Sequence, residues 1–154
     1  RAHIFIESRL EAILEKLIPH YQYLEKRRFS YAVKIDLALS MGLNPRYSGP
    51  LRRLGDIRND FAHKPGMLLI NRHVTDLYGS LDSYDRDIVL ESFDRTKKKI
   101  PDFGKERFNK LSHKDRFTLI IMALYAALEV LLKELDKRKH NNVLNTAAGK
   151  AGAG

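Results

Sequence analysis

The chain has 154 residues, 31% of them charged, a net charge of +9 and no cysteine. That length fits one domain with a real core, and the missing thiols exclude disulfides and thiolate metal sites and suit a reducing, cytoplasmic setting. The surplus of Lys and Arg favours an acidic partner, nucleic acid foremost, against the plainer alternative of a solvated basic surface.

Residues 3 to 18, HIFIESRLEAILEKLI, place Ile6, Leu10, Ile13, Leu14 and Leu17 at helical spacing, with Glu7, Glu11 and Glu15 on another face and Pro19 as the stop. A second helix is predicted over 29 to 41, closed by Gly42. NPRYSGP reads as a turn, and Pro50 suits the first position of a third helix, 50 to 63, stopped by Lys64-Pro65-Gly66. LLINRHVTDLYGSL reads as a helix that starts extended, and SYDRDIVLESFDRTKKK as a helix with a basic end. IPDFGKERFNKL reads as loop or short turns. Ser112 and Asp115 form a capping box that opens a long helix, 113 to 139. Residues 140 to 154 lack apolar periodicity and read as a flexible tail. The run FTLIIMALYAALEVLL, interrupted by Thr118 and Glu129, is too short to span a bilayer, so no membrane association is expected. The fold class is therefore all-α: a single compact bundle of about five to seven helices over residues 1 to 139.

The third helix carries the chemistry. At about 100° per residue, Leu51, Leu54, Ile57 and Phe61 share an arc of roughly 120°, with Arg58 about 40° from Leu54 inside it. Gly55 and Ala62 flank that arc and leave room for a close neighbour. A guanidinium in a packing stripe needs a counter-charge. Glu7, Glu11, Glu15 and Asp36 are the candidate partners within the chain, and a phosphate is the candidate from outside. Asn59 and His63 stand four apart, one above the other. His63 sits in the last turn, where the helix dipole favours its charged form. Arg, Asn and His together suit a phosphate and could support acid–base chemistry.

These residues carry a resemblance. RNDFAH matches the Arg-polar-x-x-x-His signature of the HEPN superfamily of helical domains. FSYAVKIDLALSMGL followed by LRRLGDIRNDFAH, with RLEAILEKLI ahead of them, resembles the mannitol operon repressor family over residues 6 to 66. The resemblance implies an all-helical domain acting as a homodimer. From the repressor family it implies transcriptional regulation, here through a protein or nucleic-acid contact, because no helix-turn-helix with a basic recognition helix is evident. RNA fits better than sequence-specific DNA. From the HEPN superfamily it implies a metal-independent endoribonuclease. Arg58 would hold the scissile phosphate, Asn59 would orient the group and His63 would act as general acid or base, the 2′-hydroxyl being the nucleophile. A mechanism with two histidines would then need the dimer mate. A third possibility is a scaffold in which the motif only locks helices together. Neither a nucleotide-binding glycine loop nor a metal-ligand spacing of histidines is present, so no cofactor and no metal are expected.

Overall fold

Amphipathic spacing places the first helix. In the computed structural model α1 spans Ala2–Leu17 and buries Ile6, Leu10, Ile13 and Leu14. Residues 2–24, 26–64, 66–99 and 107–151 are described, with side chains through residue 138. Helix α2, Tyr31–Ser40, starts where Ser30 accepts a hydrogen bond from the Val33 N–H. It ends in a six-to-one closure: the Leu43 N–H bonds to the Ala38 carbonyl at 2.8 Å and the Gly42 N–H to the Leu39 carbonyl at 3.1 Å. Gly42 takes φ +99°, a left-handed backbone that only glycine enters without strain, so the predicted stop has its physical cause.

Helix α3 spans Ser48–His63, two residues longer at its start than Pro50 implied. A 3-10 turn over Pro45–Tyr47 winds straight into it. Pro50 then lies in the first turn, where its missing N–H has no helical partner to lose. Residues 67–70 are non-helical, with Ile70 extended, before α4 begins at Asn71 and runs to Gly79. Helix α5 covers Ser83–Lys99. Asp82 caps it by accepting from the Asp85 N–H at 2.7 Å. Of the segment read as loop or short turns, residues 100–106 lie outside the described residues, and Phe108–Lys110 form a 3-10 turn.

Ser112 starts α6 as anticipated, accepting from the Asp115 N–H at 3.1 Å. The return arm differs: the Ser112 hydroxyl donates to the Asp115 carboxylate at 2.6 Å. Helix α6 runs His113–Ala151, past the boundary set at residue 139. Adding residues to a formed helix is far easier than starting one, and no proline intervenes before residue 151. Residues 152–154 of the expected tail lie outside the described residues.

The chain is an all-α bundle, with six α-helices and no strand among the described residues. Helix α6 packs against α1, α4 and α5, while α2 bridges α1 and α3. Arg9 bonds to Glu129 at 2.6 Å and Lys16 to Asp136 at 2.5 Å, each pair separated by 120 residues. A constant offset means that α1 and α6 run parallel. Elsewhere Asp85, nearly buried, faces the Arg46 guanidinium at 3.8 Å. Burial pushes the Asp85 carboxyl above its ordinary range, against the pull of Arg46. No described helix is long and apolar enough to cross a membrane.

Candidate functional site

The second half of α3 leaves the core as it proceeds. Leu51, Leu54 and Ile57 are buried, but Phe61, the fourth member of the predicted stripe, is 42% exposed. Its angle around the helix is right, yet the last turn projects beyond the bundle. The Phe61 ring instead meets the His73 ring at 6.2 Å. The close neighbour at Gly55 is Tyr31 of α2, whose ring carbons stand 3.0 and 3.1 Å from where a Cβ would be. Ala62 is exposed.

The carboxylates proposed to neutralise Arg58 are engaged elsewhere or stand open. Lys34 of α2 donates to Glu7 at 2.6 Å and also to Glu11. Arg52 takes Asp36 at 2.5 Å. Glu15 is exposed, beside a polar groove shared with Arg27 and Arg28. The salt bridge that ties these helices is thus built on Lys34, not Arg58. The reason is rotational: the packing of α1 on α2 turns the Glu7 and Glu11 face toward Lys34. Burial works against the Lys34 charge, but its hydrogen bonds to Glu11 and Glu7 outweigh that and raise its pKa.

Arg58, Asn59 and His63 are all exposed, and among the described residues their side chains make no hydrogen bond or ion pair. Asn59 and His63 lie about 40° apart on the outer face of α3, next to Arg52, while Arg58 lies roughly 140° around the helix from His63. One protomer therefore does not aim Arg58 and His63 at one point. Arg58 instead edges a cleft of about 270 Å³ between α1, α3 and α6, together with His3, Phe61, Leu69 and Phe117. Leu54, Ile57 and Ala2 complete its lining. The pKa of His3 is lowered, first by burial and then by nearby positive charge that includes Arg58, against the opposing pull of Glu7. The guanidinium also acts on Tyr31, a buried hydroxyl with no hydrogen-bond partner among the described residues, whose pKa burial raises.

Two residues beside the motif escaped the reading of the sequence. Asp60 accepts from Lys64 at 2.7 Å and faces His73 Nε2 at 3.6 Å. His73 Nδ1 in turn accepts the Ile70 N–H at 3.4 Å, which leaves the proton on Nε2, toward Asp60. The hydrogen bond from Lys64, and then the Lys64 charge, hold the Asp60 carboxyl below its ordinary range. Asp60 thus links the end of α3 to the start of α4. The i, i+4 spacing of Asp60 and Lys64 was a visible signal, whereas nothing local marked His73 as the third member. Among the described residues no three His, Asp or Glu side chains gather as a metal ion would require. No protein-family model, curated protein or solved structure matches this chain.

Proposed function

We propose that this chain is a regulatory module of the mannitol operon repressor type. It acts as a cytoplasmic homodimer that contacts nucleic acid, RNA in preference to sequence-specific DNA, through the outer end of α3. One observation carries the reading: Arg58, Asn59 and His63 stand exposed and make no ion pair among the described residues, while Glu7, Glu11 and Asp36 are engaged by other cations. Exposed, unpaired Arg58 and His63 on a chain of net charge +9 are suited to phosphates. Beside them Asp60 contacts Lys64 and His73 of α4.

The test is fluorescence anisotropy with labelled single-stranded RNA and a DNA duplex at several salt concentrations. Replacing Arg58 and His63 together by Ala is expected to weaken RNA binding about tenfold or more and to flatten the salt dependence by about one log unit per lost phosphate contact. Unchanged affinity sinks the proposal.

The exposure of His63 supports a second reading, a metal-independent endoribonuclease in which Arg58 holds the phosphate and His63 transfers the proton. The 140° between them (roughly, by helical geometry) makes a second copy necessary. The same RNA, incubated in EDTA and run on a gel, separates the two readings. Cleavage that disappears in His63→Ala supports the enzyme, and intact RNA removes it. The scaffold reading assigned an interhelical ion pair to Arg58; among the described residues Lys34 and Arg52 form such pairs.

A further inference from the structure

The cleft beside Arg58 differs in character from the outer face of α3. Its lining is mostly apolar: Leu54, Ile57 and Phe61 from α3, Phe117 from α6, and Ala2 and Leu69. Phe61 leaves 42% of its surface in water there, an unfavourable state for a ring that the opposite wall could cover. Polar character comes from two side chains, Arg58 and His3. Burial favours neutral His3, and the neighbouring Glu7 is held by Lys34. Among the described lining residues the permanent charge is that of Arg58, which makes no ion pair among the described residues.

We propose that this cleft binds a small amphipathic monoanion, a carboxylate carried on an apolar body, with Arg58 pairing the carboxylate and Phe61 and Phe117 flanking the body. A guanidinium matches a carboxylate in bidentate geometry. The cleft volume of about 270 Å³ suits a small ligand. This site goes beyond the nucleic-acid reading and does not rest on it.

The experiment is isothermal titration of the full chain with octanoate, with 1-octanol as the uncharged body and acetate as the bare headgroup. Octanoate is expected to bind saturably at one site and acetate not to bind. Arg58→Gln is expected to weaken octanoate about tenfold while 1-octanol changes by less than about twofold. Ala2→Trp places a ring in the cleft and should abolish both. Circular dichroism confirms the fold of each variant. Three results overturn the proposal: no saturation up to about 10 mM octanoate, affinity indifferent to Arg58→Gln, or binding that survives Ala2→Trp.

Discussion

Gly55 is the position in α3 where one methyl group decides packing. A Cβ there would stand 3.0 Å from the Tyr31 ring, and Tyr31 is 5% exposed, with little room to retreat. Alanine gains about 1 kcal/mol in helix propensity over glycine, against about 1–3 kcal/mol for overpacking. Gly55→Ala is therefore expected to destabilise the protein by about 1 kcal/mol in urea unfolding. A stabilised variant would show that the ring moves aside freely. Lys34 gives a sharper case. Its side chain is 12% exposed and serves two carboxylates. Lys34→Met leaves Glu7 and Glu11 facing each other, at an expected loss of about 2 kcal/mol, part of which Glu7→Gln should restore. Because the folded pKa of Lys34 is raised, the contribution is complete below its unfolded value and disappears as pH rises through the folded one. The stability gap between wild type and Lys34→Met should thus narrow on the alkaline side of the ordinary lysine range and stay constant near neutrality.

At the scale of elements, helix ends are where chain and fold agree most closely. The Ser112 cap of α6 and the Gly42 closure of α2 each depend on residues within a few positions of one another. Such chemistry is legible along the chain. Ser112→Ala should lower stability by about 1 kcal/mol, and Gly42→Ala by about 1–2 kcal/mol through its left-handed backbone. A thermal midpoint unmoved by either substitution would contradict these assignments. Partners across helices were not legible in the same way. The spacing of Glu7, Glu11 and Glu15 announces an acidic face but not the cation opposite it. That choice belongs to the rotation of α1 against α2, which the buried side chains of both helices set together. Phe61 failed for a related reason: periodicity gives a residue's angle but not whether the bundle extends far enough to cover it. The exposure of Arg58, and with it the character of the candidate site, followed from both effects.

At the scale of the molecule, parallel α1 and α6 are joined at their rims by Arg9–Glu129 and Lys16–Asp136. Arg9 also lies over the Tyr125 ring at 5.6 Å. Partly exposed pairs contribute little, about 0.2–1 kcal/mol each. Arg9→Glu should therefore shift the urea midpoint slightly, and adding Glu129→Arg should reverse the shift. If the double variant is no more stable than the single one, the pairing contributes register only.

The seating of α1 also has a temporal side. Ile6, Leu10, Ile13 and Leu14 are almost fully enclosed, and part of that enclosure is α6, the helix made last among those described. A ribosome releases α1 long before α6 exists. Until then the side of α1 that α6 covers stays open, and the bundle closes only by joining segments that are distant along the chain, a slow kind of contact to form. Birth, more than maturity, is when this protein is exposed to aggregation and to chaperones.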